Sequence, residues 1–296
     1  MNKKKIYLIT NADDFGLNNS VTDAIVESFT DGILQSTTLI VNTNGFDYAI
    51  NQSKIHEKLG VGIHFNLTEG KPISNIDKVD LLVDEQGNFK SNLIQRNNLK
   101  LGTKRKYEQV TCELENQLIK MLDSGVKPSH FDSHHHVTGL PIVFKSSMNI
   151  AKKYGVLKAR STNINFKFSN NATAVDRINF LPNIILSVPK SVVHYSNKAR
   201  LRHNGIQTPD IKIIPSRVKP SISDPVDHFI SVLSVLRSGV TEISFHPGYK
   251  GSNPTDSEKT AKLRVIDLKI LTSEKVKEYI DKNNIILINF NNEILK

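Results

Sequence analysis

One cysteine, Cys112, is all that the 296-residue chain contains. No disulfide can therefore form within it, which agrees with a reducing compartment. A thiol nucleophile would need a partner motif, and none surrounds "YEQVTCELENQLIKML". The apolar spacing of that stretch reads instead as a helix carrying a half-buried Cys112. Long hydrophobic runs are missing too: nothing approaches the roughly 18 apolar residues of a membrane span. After "MNKKK" a short apolar run leads straight into "NADDF", well below the roughly 7–15 residues of a secretory h-region. These absences together lead us to expect a cytoplasmic protein with no membrane span. The chain also lacks the glycine fingerprints that cradle phosphates, any recognisable nucleic-acid module and any internal repeat.

What is present suits a water-soluble enzyme-sized protein: 38% hydrophobic and 23% charged residues, ample for one large core. The formal charge is +10, which would suit a polyanion. Its lysines are spread along the whole chain, however, and the densest basic stretch is "NKARLRHNGIQTPDIKIIPSRVKPS", Asn197 to Ser221. A solvated lysine-rich surface is the default reading, an anionic ligand or glycan the second, and no nucleic-acid partner is expected.

Short β-branched runs recur at "IYLIT" (Ile6–Thr10), "TTLIVN" (Thr37–Asn42), "VGIHFNL" (Val61–Leu67), "SHFDSH" (Ser129–His134), "EISFHP" (Glu242–Pro247) and "IILINF" (Ile285–Phe290). Helical patterns lie between them. "NSVTDAIVESFTDG" puts Val21, Ile25 and Phe29 on one face, with Gly32 as its expected C-cap. "YEQVTCELENQLIKMLDSG" aligns Val110, Leu114, Leu118 and Leu122. "DPVDHFISVLSVL" and "LTSEKVKEYIDKNN" follow suit, the last capped by Thr272 or Ser273. Alternating β and α units predict a parallel sheet with helical crossovers. Because the fingerprints of open doubly wound folds are absent, the expected fold class is α/β, an irregular (β/α) TIM-like barrel. Residues 1–296 read as a single domain, with loop insertions near 74–106 and 163–220.

Four of the strand candidates end in acids or histidines. The first leads into Asp13 and Asp14; the one at Val61 carries His64. The one at Ser129 supplies Asp132 and His134 to His136, and the one at Glu242 supplies His246. In a parallel barrel the C-terminal strand ends converge on one face, so these groups would meet. Two histidines and a carboxylate suit a divalent cation that keeps open positions for water and substrate. Such a cation acidifies its water and polarises a carbonyl. A second carboxylate can take the water's proton, and a histidine can protonate the leaving group. Each piece also has a plain structural reading. "DD" after a strand is often a helix-starting turn, and His64 in an apolar strand is often a hydrogen-bonded core residue. "SHHHV" and the histidine before "PGY" could be surface turns. It is their joint occurrence at equivalent strand ends that favours a site for metal-assisted hydrolysis of an amide or ester.

The motifs "NADDFGLNNSVTDAI", "GILQSTTLIVN", "VGIHFNLTEGKP", "KPSHFDSHHHV", "HPGY" and "LTSEKVKEYIDKNNIILINF" resemble, in order and over nearly the whole chain, those of the YdjC-like carbohydrate deacetylases. That family includes chitooligosaccharide deacetylase and the hopanoid-biosynthesis deacetylase, and "LRHNGIQTPD" resembles a segment of the latter branch. The resemblance implies a divalent ion, most simply Mg2+ with Zn2+ as another candidate, held by Asp14, His64 and His134. It also implies Asp13 as the base that activates water and His246 as a general acid. Arg160 would face substrate, and Asp132 would orient a ligand histidine from behind. Many members read a further histidine and a larger residue where this chain has Thr138 and Gly139, a difference that bears on the shape of the substrate pocket.

The expected reaction is hydrolysis of the acetamide of an N-acetylated sugar or oligosaccharide, releasing acetate. Two rivals stay open: another barrel hydrolase, such as a glycoside hydrolase, and a non-catalytic glycan- or polyanion-binding protein. Adjacent carboxylates at positions 13 and 14 are poorly disposed to flank a glycosidic bond. The sequence leaves the oligomeric state open, a homodimer included.

Overall fold

The structure, a computed structural model, describes residues 5–161, 197–213 and 224–295. In chain order its elements are β1 (Ile6–Phe15), α1 (Asn19–Thr30), β2 (Ser36–Leu39), α2 (Phe46–Ile55), β3 (Gly60–Phe65), α3 (Asn92–Lys100), α4 (Lys104–Asp123), β4 (Phe131–Ser133), α5 (Pro141–Lys153), β5 (Ile211–Ile213), α6 (Pro225–Leu233), β6 (Gly239–Phe245), α7 (Glu258–Leu271), α8 (Glu274–Lys282) and β7 (Ile285–Leu287). Short 3-10 segments cover Ile76–Lys78 and His134–Gly139. The chain divides into two compact units: Met1–Ala12, Asp23–Ser36 and Arg160–Lys296 form the first, Asp13–Thr22 and Thr37–Ala159 the second.

In the first unit β1 pairs in parallel with β6, from Ile6 opposite Gly239 to Ala12 opposite Phe245, and with β7 at Ile6–Leu8. β5 adds to β6 in parallel. Parallel strands buried on both faces need continuous apolar runs, and Ile9, Val240, Ile288, Phe290 and Leu295 accordingly form one buried cluster against Tyr7 and Ile286. Helix α6 starts as its sequence dictates: Asp224 caps it by accepting from the Val226 and Asp227 amides, and Pro225 occupies the first turn. Its Phe229 ring meets Phe245 edge-on at 5.4 Å. Ser273 holds the N-cap position of α8.

Gly32 does a different job from the expected helix cap. Its φ is not positive; instead a Cβ there would lie 2.4 Å from the Leu271 carbonyl oxygen and 2.5 Å from that of Ser28. The glycine is required by close backbone approach, and Ile33 N–H donates to Leu271 at 3.0 Å beside it.

In the second unit β4, β3 and β2 lie side by side. The β3–β4 pair is parallel, with His64 opposite Asp132. Helix α4 carries two buried stripes. The apolar one, Val110, Leu114, Leu118 and Met121, faces the core. A polar one, Gln109, Glu113 and Gln117, hydrogen-bonds loop backbone: Glu113 accepts from the Ile73 and Ser74 amides at 3.0 and 2.9 Å, and Gln109 accepts from Leu81 at 2.9 Å. The start of the 74–106 stretch, through residue 81, is thereby bound to α4. Cys112 is half-buried on that helix, as its spacing predicts.

Parallel α/β architecture is thus observed. Several differences from the sequence reading are local, helix α3 inside the stretch read as a loop insertion among them. β1 runs on through the "NADDF" residues, so Asp13 and Asp14 belong to the strand itself. β2 is shorter than "TTLIVN" and starts at Ser36. β5 was not anticipated; three residues inside a basic stretch give too little pattern to read. Most of the 163–220 segment lies outside the described residues.

Candidate metal centre

The site is built within the second unit. The last residues of β1 present Asp13 and Asp14, both 2% exposed. Asp14 has φ +73°, left-handed backbone that only a few non-glycine residues adopt and that clusters at functional sites. Gly16 follows with φ +80° and leaves no room for a side chain, since a Cβ would meet Leu39 Cδ1 at 2.8 Å. A bond from Leu17 N–H to the Asp14 carbonyl at 3.0 Å closes the turn. Asp14 is thus held at a bend between strand and turn.

Asp14 Oδ1 lies 3.1 Å from His134 Nδ1 and 3.8 Å from His64 Nε2. The two rings stand edge to face, centroids 5.4 Å apart. One donor atom from each of Asp14, His64 and His134 lies within 4.8 Å of the others, and all three residues are buried. Asp13, His64 and Asp132 form a second such group that shares His64. Mixed nitrogen and carboxylate donors of this kind suit a divalent cation.

The second nitrogen of each ring is also held. His64 Nδ1–H donates to Asp132 Oδ1 at 2.5 Å, and the Thr38 hydroxyl donates to Asp132 Oδ2 at 3.3 Å. With the proton on Nδ1, the lone pair of Nε2 is turned toward Asp14. His134 Nε2 lies 3.0 Å from Glu69 Oε2. Burial alone would push the His134 imidazole down, but hydrogen bonds to Asp14 and Glu69 override it and raise its pKa to about 10. The same contact with His134 lowers the Glu69 carboxyl. A cation taking the Nδ1 lone pair must displace a proton.

His135 and His136 follow on left-handed backbone at φ +50° and +54°, and the His135 ring lies against that of His134, centroids 4.0 Å apart. His135 Nδ1 lies 2.9 Å from the Thr68 hydroxyl, and its carbonyl accepts from Arg96 at 3.0 Å. Thr138 is tied back to Ser133 through its hydroxyl and amide, at 2.8 and 2.9 Å. A Cβ added at Gly139 would meet no atom within 4 Å.

The structure therefore brings together Asp13, Asp14, His64, Asp132 and His134 of the residues that the sequence singles out. Arg160 and His246 belong to the first unit. Arg160 is 7% exposed, and its Nε donates to Glu242 Oε1 at 2.7 Å. His246 is half-buried and its N–H donates to Asp267 Oδ2 at 2.8 Å. Thr38, Glu69 and Arg96 were missed. Glu69 stands inside the quoted "VGIHFNLTEGKP", yet a lone glutamate in a loop gives no sign of which histidine it will reach.

The sequence profile of the YdjC-like protein family matches residues 7–282. The chain belongs to the YdjC-like family. A relative from Clostridium beijerinckii, named carbohydrate deacetylase, is 32% identical, covering 96% of this YdjC-like chain and 98% of its own. One from Thermoanaerobacter pseudethanolicus, also named carbohydrate deacetylase, is 31% identical with the same coverage. A solved structure from Enterococcus faecalis, named for a proposed cellobiose-phosphate cleavage activity, is 28% identical. It covers 97% of this YdjC-like chain and 98% of its own, with a TM-score of 0.76.

Proposed function

We propose that this YdjC-like protein is a metal-dependent carbohydrate deacetylase that hydrolyses the acetamide of an N-acetylated sugar to acetate and the free amine. The observation that carries this reading is the buried Asp14–His64–His134 group, with the second nitrogen of each ring held by a carboxylate. A divalent cation held there, Mg2+ being the first candidate, would polarise the acetyl carbonyl and acidify a water. Asp13 is the proposed base: its carboxylate, buried in the same unit, takes the proton of the water whose oxygen adds to the carbonyl carbon. Collapse breaks the C–N bond, and His246 is the proposed donor of the proton that the departing amine needs. Arg160 is the proposed substrate-facing residue, its guanidinium held in place by Glu242. The irregular (β/α) barrel and a single domain over 1–296 are part of the same proposal, supported by the family resemblance.

Acetate release from N-acetylglucosamine oligomers, measured with and without a chelator, tests the reading. Acetate that appears only with metal supports it. Reducing-sugar release without acetate would overturn it in favour of glycoside cleavage, and neither product with any N-acetyl sugar would leave the binding-protein reading.

A further inference from the structure

The two ligand histidines are arranged alike, and the resemblance extends to a residue with no assigned role. His64 turns one nitrogen toward Asp14 and the other toward Asp132. His134 turns Nδ1 toward the same Asp14 oxygen and Nε2 toward Glu69. We propose that Glu69 is the positioning residue of the metal site that orients His134, holding the proton on Nε2 so that Nδ1 is offered to the cation. This rests on the metal-site reading above and deepens it.

Glu69 is built to hold still. It lies on the turn after β3, whose geometry is set by Asn66. The Asn66 Oδ1 accepts from the Thr68 and Glu69 amides at 3.0 and 3.2 Å, and its Nδ2 donates to the Glu69 carbonyl at 2.8 Å. Asn66 is fixed in turn by Gln117 of α4, which accepts from its amide at 3.0 Å and donates to its carbonyl at 2.6 Å. A further bond from Asn66 Nδ2 reaches Asn42 Oδ1 at 2.9 Å. Both backbone polar groups of Glu69 are therefore taken up by one buried side chain. The carboxylate is left to face His134, with its side chain 38% exposed. With its backbone fixed in this way, the Glu69 side chain starts from a set position, and among the described residues its side-chain partner is His134.

The remaining alternative for the same geometry is a second cation between Glu69, His134 and His135, whose donor atoms also lie within 4.8 Å of one another. His134 would then have to bridge two ions through both nitrogens, leaving no ring proton for Glu69 to accept. His135 Nδ1 is bonded to Thr68, so only its Nε2 could serve a second ion, and the number of equivalents bound separates the two arrangements.

The test is a Co2+ titration of the purified wild-type protein, Glu69→Ala and Glu69→Gln, followed by calorimetry and by the visible absorption of the bound ion. Glu69 is on the surface of its turn, so both variants should fold, and circular dichroism with thermal melting checks this. Wild type should bind one equivalent. Glu69→Ala should bind about 10–100-fold more weakly, with an altered visible spectrum because the His134 ring is no longer fixed. Glu69→Gln, whose amide oxygen still accepts from Nε2–H, should recover part of the affinity and most of the spectrum. Equal affinity in Glu69→Ala, alongside normal wild-type binding, would overturn the inference alone. Two equivalents in wild type and one in Glu69→Ala would overturn it in favour of a second ion. No Co2+ binding by wild type would remove the metal-site reading itself.

Discussion

Asp14 combines two demands that few side chains meet. Its backbone lies at φ +73°, and an L-residue there costs on the order of 1–3 kcal/mol unless it is held by its surroundings. Aspartate and asparagine tolerate that region better than most residues. Asp14→Asn should therefore keep the fold, with a melting temperature close to wild type, while losing cation binding because the charged donor shared by both histidines is gone. Calorimetric titration with Mg2+ or Co2+ checks it; undiminished binding would exclude Asp14 as a ligand. Asp13→Asn makes the opposite separation. If Asp13 is the base and not a ligand, cation affinity should persist while kcat for acetate release falls about 10²–10⁴-fold. A variant that loses the cation and the activity together would make Asp13 a ligand.

Between residue and fold, the elements show how polar groups are used as structure. Helix α4 reads in sequence as amphipathic, and its apolar stripe is where the periodicity puts it, with Met121 rather than Leu122 fully buried. The Gln109, Glu113 and Gln117 stripe beside it looks like an ordinary solvated face, because i, i+4, i+8 polar spacing is what a surface also shows. It is buried because those side chains satisfy the backbone amides of residues 66, 73, 74 and 81. Glu113→Ala leaves two amides without their acceptor, so urea unfolding should report a loss of about 2–4 kcal/mol at roughly 1–3 per unsatisfied group, partly offset by water. At the same level Gly32→Ala should destabilise by about 1–3 kcal/mol, since backbone oxygens of Ser28 and Leu271 must move to admit the methyl. The pair between α4 and α5 responds to pH. Hydrogen bonds from Lys153 and then Tyr154 hold the Glu115 carboxyl below its ordinary 4.5. The folded state therefore prefers the ionised form, and its contribution is present above 4.5 and lost as pH falls through the lowered value. Glu115→Gln should show a small deficit in melting temperature at pH 7 that disappears in acid; a deficit constant with pH would contradict that sign.

For the molecule as a whole, binding of a cation to the folded state alone must raise stability by mass action, about 2.7 kcal/mol at a hundred times Kd. Thermal melting in excess Mg2+ should rise in wild type, fall back with a chelator, and show no response in His134→Ala. A wild-type protein indifferent to every divalent ion would contradict the metal centre. Among the described residues no helix is long and apolar enough to cross a membrane, and the +10 charge belongs to a chain whose buried site is carboxylate-rich. Substrate recognition by charge would therefore have to come from outside the Asp14 group.

A linear reading contained what is local and periodic: alternating apolar runs, the helical spacing of "DPVDHFISVLSVL" and "LTSEKVKEYIDKNN" with Thr272 or Ser273 as the latter's cap, the half-buried Cys112, and the residue types of a hydrolytic metal site. These follow from backbone periodicity and from side-chain chemistry, which a linear reading contains. Tertiary structure alone decided the pairings. Parallel register put Asp132 opposite His64, the Asn66-held turn brought Glu69 to His134, and the tight approach of residue 32 to Leu271 made glycine necessary there. Such contacts join residues tens of positions apart, and no local pattern encodes them, because the free energy that selects them comes from burying whole elements together.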